Sequence, residues 1–120
     1  MLTRRKRYFL SSIVDKLVRA SHEIAIDAAD LARVLDISPR TVSRWFHGGV
    51  GPRRQARERI LETLVVINRL SAIMRGEAAR DWLFTPTPLL DYEKPADLLR
   101  TGQYRKVIGV IEALAEGVFF

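Results

Sequence analysis

The strongest constraint on the fold is a Ser38-Pro39 pair that separates two apolar pairs, Leu31 and Leu35 before it and Val42 and Trp45 after it. Serine accepts hydrogen bonds from the free N–H groups at a helix start, and proline at the first helical position loses no needed hydrogen bond. Residues three or four apart lie on one face of a helix. The pattern therefore predicts two short helices joined by a tight turn, a helix-turn-helix.

Residues between and after these anchors fit the same motif. Ala32 is small where the two helices cross, Ile37 covers the core behind the turn, and Asp36 takes the turn position where glycine is common; Asp tolerates left-handed geometry better than most residues. The second helix is left with an outward polar ridge, and arginine, serine and threonine side chains can bind base edges or phosphates in a major groove. The predicted DNA-binding residues on it are Arg40, Thr41, Ser43, Arg44 and His47.

The rest of the chain predicts helices and almost no strand, which makes the fold class all-α. We expect one helix to follow an N-cap at Ser12 and another to follow Asp27, with Gly48-Gly49 ending the second helix of the motif. Apolar residues at 3-4 spacing predict a long helix from Pro52 to about residue 76 with a restart through residue 82. An irregular proline-containing segment over 85–95, a short helix over 96–100 and a last amphipathic helix from Tyr104 complete the prediction.

Charge divides the chain into two unequal halves. Residues 1–60 carry 13 basic and 6 acidic side chains (13 − 6 = +7), whereas residues 61–120 carry 7 and 8 (7 − 8 = −1), which accounts for the net +6. The first half therefore predicts a polyanionic partner such as nucleic acid. Arg53 and Arg54 are further candidate phosphate contacts, and the basic arm 4–7 is either a minor-groove contact or a solvated tail.

Composition argues against several other classes of protein. The chain has no cysteine and only two histidines, His22 and His47, so we expect no disulfide, no metal and no cofactor. Ser43 and His47 are four residues apart, but no nucleophile elbow or oxyanion loop accompanies them, so we expect no enzyme. No apolar run is long enough to span a membrane, and no signal peptide is evident; a cytoplasmic location fits.

The second half carries three stretches that are specific in combination: Trp82-Leu-Phe-Thr-Pro, Lys94-Pro-Ala-Asp-Leu and Ala115-Glu-Gly-Val-Phe. Together with the helix-turn-helix, they resemble the Xre/MbcA/ParS family of type II antitoxins. The resemblance covers nearly the whole chain beyond the first ten residues. The sequence departs from the family at Thr87, where Asn is usual, and at Asp91-Tyr92-Glu93, where many relatives have a glycine-containing turn.

The resemblance implies an antitoxin whose partner is a RES-domain toxin that degrades NAD⁺. It implies a helix-turn-helix module over 1–68 and a C-terminal toxin-binding module over 69–120, connected by the long helix. The C-terminal end would cover the NAD⁺ site of the toxin, and the antitoxin would dimerise and repress its own promoter. The toxin-binding residues expected on this basis are Trp82, Pro86, Lys94, Pro95, Tyr104, Gly117, Val118, Phe119 and Phe120.

Physical reasoning from the residues leaves two alternatives open. Each half alone holds only about 50–60 residues, a size at which cores are marginal, so we expect a homodimer or a larger assembly unless both halves share one core. The apolar end 118–120 either inserts into a partner or folds back onto the last helix. The second candidate function is a plain helix-turn-helix repressor whose C-terminal half only dimerises.

Overall fold

The computed structural model describes the backbone of residues 4–117 and the side chains of residues 13–117. Within that range the chain is all-helical and forms no strand, which confirms the predicted fold class. Seven α-helices follow one another, with a single 3-10 turn at Pro88–Leu90 between the fifth and sixth. They are α1 (Arg4–Glu23), α2 (Ala28–Leu35), α3 (Pro39–Phe46), α4 (Arg54–Ser71), α5 (Gly76–Leu83), α6 (Pro95–Arg100) and α7 (Tyr104–Ala115).

The helix-turn-helix forms as its local signals predict. Asp27 and Asp30 make a reciprocal capping box at the start of α2, and the Ser38 hydroxyl accepts a hydrogen bond from the Thr41 N–H at the start of α3. Asp36 adopts the left-handed conformation with φ of 56°, which turns the chain between the two helices. Its backbone N–H donates to carbonyl groups of α2, so Asp here closes the helix as glycine usually does.

Two helix boundaries differ from the sequence prediction. The first helix begins at Arg4, so Ser12 lies inside α1 and does not cap it, and residues 4–7 are helical and not an extended arm. The long helix ends at Ser71, and a short loop separates it from α5. Local capping and spacing signals do not by themselves fix the residue at which a helix begins or ends.

A single continuous core joins the two halves of the chain. The buried side chains form one cluster that contains residues from every helix of the described range. The central element is α4, which packs against α1, α2 and α7, and its inner face is buried through residues such as Ile60, Ile67 and Leu70. The expected boundary between residues 68 and 69 falls inside this helix. Of the two alternatives for the core, the structure therefore shows the shared one.

Polar contacts across the core fix the orientation of the helix-turn-helix against the C-terminal half. Asp30 of α2 accepts two hydrogen bonds from Arg80 of α5, at 3.3 and 3.4 Å. Arg59 of α4 donates to the carbonyl oxygens of Leu99 and Arg100, at 2.9 and 3.1 Å, where α6 ends. The Arg59 bonds add a side-chain donor at the C-terminal end of α6, where helix carbonyls have fewer partners within the helix.

Candidate functional surfaces

The outer face of α3 presents the polar ridge that the sequence predicts. Arg40, Arg44 and His47 are exposed, and Thr41 and Ser43 are half-buried at its edges, while Val42 and Trp45 on the opposite face are buried in the core. The ridge is thus carried by a short helix whose inner face is anchored at two points. A helix held in this way projects its arginines from a fixed backbone, which is what a groove-reading helix requires.

The His47 ring is hydrogen-bonded to the backbone of its own helix at Ser43. His47 Nδ1 lies 2.7 Å from the Ser43 carbonyl oxygen and 3.4 Å from the Ser43 hydroxyl. A ring nitrogen that donates to a carbonyl carries the proton, so it cannot at the same time accept one from the serine. In this geometry the Nδ1 atom of His47 is not available as a base for the Ser43 hydroxyl.

A second basic group lies at the start of α4. Arg53 and Arg54 are exposed, and neither forms an ion pair or a hydrogen bond through its side chain within residues 13–117. Arg53 is the N-cap residue of α4, and its side chain forms no capping hydrogen bond. The first turn of α4 contains no acidic residue. The positive end of an 18-residue helix is therefore uncompensated beside two free guanidinium groups, an arrangement that attracts phosphate.

The expected toxin-binding residues differ in their exposure to solvent. Pro86 and Gly117 are exposed, Trp82, Lys94 and Tyr104 are half-buried, and Pro95 is buried as the first residue of α6. Arg105 lies over the Tyr104 ring at 6.0 Å, and a hydrogen bond to Tyr104 raises the pKa of Arg105. The expected residues Val118, Phe119 and Phe120 lie outside the described range. Gly117, which leads to them, has φ of 82° and follows the end of α7.

The loop between α5 and α6 is built on two consecutive left-handed residues. Asp91 and Tyr92 have φ of 54° and 65°, in a region that glycine favours. Thr87 holds the loop closed, because its carbonyl accepts from the N–H groups of Leu90 and Tyr92 and its own N–H donates to Glu93. The Tyr92 side chain is 73% exposed, so no packing within the described residues explains the conformation.

A groove between this loop and α7 escaped the sequence analysis. It encloses about 490 Å³ between Leu89 and Leu98 on one side and Val110 and Ala113 of α7 on the other. Gly109 also lines it, in the middle of a helix, where glycine is destabilising relative to alanine. A glycine inside a strongly helical pattern was the available signal for this surface.

Two further classes of site receive no support from the described residues. Residues 13–117 contain no group of three or more histidine or acidic side chains placed to hold a metal ion. Over the same part of the chain, no helix is long and apolar enough to cross a bilayer.

Comparison with known proteins finds relatives over more than four-fifths of the chain. No family model matches it. The chain is 38% identical over 100 residues to the mycobacterial cidal antitoxin MbcA of Mycobacterium tuberculosis, which is 83% of this chain and 88% of that protein. It is 31% identical over 104 residues to a probable mycobacterial cidal antitoxin of the same organism, covering 87% of this chain and 89% of that protein.

A solved structure agrees with the sequence comparison. The fold matches a chain of the crystal structure of the M. tuberculosis MbcT-MbcA toxin-antitoxin complex with a TM-score of 0.79 and 36% identity, covering 89% of this chain and 96% of that chain. Likeness in sequence and in fold thus extends over more than four-fifths of the chain. The chain belongs to the family of mycobacterial cidal antitoxins MbcA.

Proposed function

We propose that the chain is the antitoxin of a type II toxin-antitoxin pair and neutralises a RES-domain toxin that degrades NAD⁺. The observation that carries the proposal is the match, over 89% of the chain, to a chain of an MbcT-MbcA toxin-antitoxin complex. The toxin's domain and reaction are inferred from the family resemblance of the second half. The antitoxin acts by binding and not by catalysis, in the cytoplasm, where both NAD⁺ and the promoter are found.

The C-terminal end is the proposed inhibitory element. Gly117 follows the end of α7 with φ of 82°, a left-handed conformation that is common just after a helix ends. Phenylalanine has few rotatable bonds and a large apolar face, so it fills a pocket at a modest entropic cost. Burial of one such ring contributes roughly 1.5–3 kcal/mol. Two adjacent rings therefore supply enough free energy to hold the end of the chain in an active-site cleft.

A truncation separates inhibition from binding. The full chain is co-expressed with the product of the adjacent reading frame, purified through a tag on one partner, and compared with a chain that ends at Gly117. We expect both to co-purify with the toxin and only the truncated chain to permit NAD⁺ consumption. If no complex forms with the full chain, the antitoxin proposal is wrong. If the truncated chain is stable and still inhibits fully, residues 118–120 are not the inhibitory element. If it loses helix content and melts earlier in circular dichroism, the end belongs to the core.

We also propose that the helix-turn-helix binds the promoter of the chain's own operon. The exposed Arg40 and Arg44 of α3 and the uncapped start of α4 with Arg53 and Arg54 support this assignment. An arginine that reads a base contributes about 1–3 kcal/mol, and a phosphate contact weakens binding uniformly across sequences. The ridge would therefore read the operator, and the start of α4 would hold the DNA backbone.

Operator binding tests the DNA assignment. Arg40→Ala and Arg44→Ala should each weaken binding to the promoter fragment by about 1–3 kcal/mol at a fixed salt concentration, while toxin neutralisation is retained. Arg75→Ala is the matched control, because it removes an exposed arginine from the other half of the chain. Equal affinity in all three variants and the unaltered chain would refute the ridge assignment.

A homodimer is the proposed form of the free antitoxin. Leu61, Val65 and Ile73 are 54%, 40% and 37% exposed along the outer side of α4 and just beyond its end. Leu61 and Val65 are four residues apart and therefore adjacent on one face of α4, and exposed apolar patches favour association. Sedimentation should show a dimer at micromolar concentration, and Leu61→Lys with Val65→Lys should shift it to a monomer. A stable monomer of the unaltered chain under these conditions would count against the dimer.

The second candidate is a helix-turn-helix repressor whose C-terminal half only dimerises. It shares the DNA-binding surface and differs in the partner. An adjacent reading frame that encodes a RES domain favours the antitoxin, whereas a chain that represses its promoter but binds no product of the neighbouring gene favours the repressor.

A further inference from the structure

We propose that the groove between the Thr87–Glu93 loop and α7 is a second docking surface for the toxin, separate from the C-terminal end. The inference rests on the proposed antitoxin function and names additional residues for it. The groove is apolar on its floor, at Leu89, Leu98, Val110 and Ala113, and holds about 490 Å³. Its occupant is an apolar segment of the toxin that lies against the bare backbone at Gly109.

Gly109 indicates a close approach by another chain. It lies within the 12 residues of α7, where glycine lowers helix stability, and a Cβ atom added to it would meet no atom of residues 13–117 within 4 Å. Those residues therefore give no packing reason for glycine at this position. A glycine in a helix that lines a groove allows a partner to approach the backbone more closely than any larger residue would permit.

Tyr92 lies in the loop on the other side of the groove and also indicates that a partner binds here. Its neighbours Asp91 and Glu93 line the groove, and its own ring is 73% exposed on a loop held in a left-handed conformation. Bulky residues adopt such a conformation rarely, and retained backbone strain of this kind clusters at binding sites. Exposed tyrosines are also among the side chains that contribute most to protein interfaces.

Helix geometry connects the groove with the C-terminal end. Lys106, Val110, Ala113 and Gly117 are spaced by three or four residues, so they lie on one face of α7 and its extension. Gly109 lies about 12 Å from Gly117 along the axis at 1.5 Å per residue. A standard interface buries about 800 Å² per partner and is roughly 25–30 Å across. A toxin that holds the residues after Gly117 through an interface of standard size is therefore large enough to reach this groove.

Charges on the rim restrict the chemistry of the segment that docks. The carboxylates of Asp91 and Glu93 form no ion pair within residues 13–117, and Lys106 lies on the α7 side of the groove. Two uncompensated carboxylates beside an apolar floor favour a segment that combines an apolar side chain with a lysine or arginine. Affinity should accordingly fall as the salt concentration rises.

Two substitutions test the groove without weakening the free chain. Gly109→Gln replaces glycine by a good helix former in open space, and Tyr92→Asn introduces a residue that tolerates the left-handed conformation, so both variants should melt no earlier than the unaltered chain. We expect each to lower the affinity for the tagged product of the adjacent gene at least ten-fold. Ala29→Gln, an exposed helical alanine on α2, is the matched control and should leave affinity unchanged.

The possible results separate the groove from the wider proposal. If the unaltered chain binds the toxin and both variants bind within two-fold of it, the groove inference is wrong while the antitoxin function stands. If the unaltered chain does not bind, the antitoxin function itself fails. Early melting of Gly109→Gln would show that residues 118–120 of the same chain fill the groove, and a changed oligomeric state would show that a second copy does; either result overturns the inference.

Discussion

Arg59 is the side chain through which α4 holds the end of α6. Its guanidinium group donates to the Leu99 carbonyl oxygen at 2.9 Å and to the Arg100 carbonyl oxygen at 3.1 Å. Gly102 makes room for this guanidinium group, since a Cβ atom at position 102 would lie 3.2 Å from Arg59 Nη1. Gly102 also has φ of 83°, which an L side chain adopts at a cost. One arginine and one glycine together therefore help to fix the position of α6 on the long helix.

Arg59→Met keeps most of the aliphatic stem and removes both hydrogen bonds. A bond from a charged donor contributes about 1.5–3 kcal/mol when buried and less when exposed. The bond to Leu99 is partly buried, the bond to Arg100 is exposed, and the Arg59 side chain is 31% exposed. We therefore expect a loss of about 2 kcal/mol in the free energy of unfolding. For a chain of this length that loss corresponds to a decrease of roughly 6–10 °C in Tm.

Thermal unfolding followed by circular dichroism measures the effect, and Arg54→Met is the matched control. Arg54 lies on the same helix and is exposed without a side-chain partner within residues 13–117, so its substitution should change Tm by no more than about 1–2 °C. The two variants should also differ in an operator-binding assay, in which Arg54→Met should weaken DNA binding and Arg59→Met should not. Equal Tm values for the two variants would refute the structural role assigned to Arg59.

Two further predictions concern stability. Thr63→Val should raise the free energy of unfolding by about 1 kcal/mol, because the Thr63 hydroxyl is buried on α4 and has no hydrogen-bond partner within residues 13–117; a lower Tm would contradict this. Asp27→Ala should cost about 1 kcal/mol through loss of the α2 cap, and Asp30→Ala should cost more because it also removes the contact with Arg80. Urea denaturation of both variants checks the order, and an equal loss would show that the Arg80 contact contributes nothing.

Local sequence determined those features whose physical cause is local. The helix-turn-helix follows from capping by Asp27 and Ser38 and from the turn at Asp36, and all three act through hydrogen bonds or dihedral angles within a few residues. The exposed ridge with Arg40 and Arg44 follows from the 3-4 spacing of the buried Val42 and Trp45. Membership of the antitoxin family was likewise carried by short stretches of the second half, and the relatives confirm it.

Tertiary structure alone decided the features that depend on residues distant in sequence. In the sequence, Arg59 is one of several arginines near a helix start. The two carbonyl groups to which it donates lie 40 and 41 residues away, and no periodicity predicts these contacts. The single core that runs through α4 depends on packing between helices, which capping signals do not contain. The groove beside Gly109 exists only because the Thr87–Glu93 loop folds over α7. A sequence specifies contacts within one or two helical turns directly, whereas contacts across the core arise from the burial of all the helices at once.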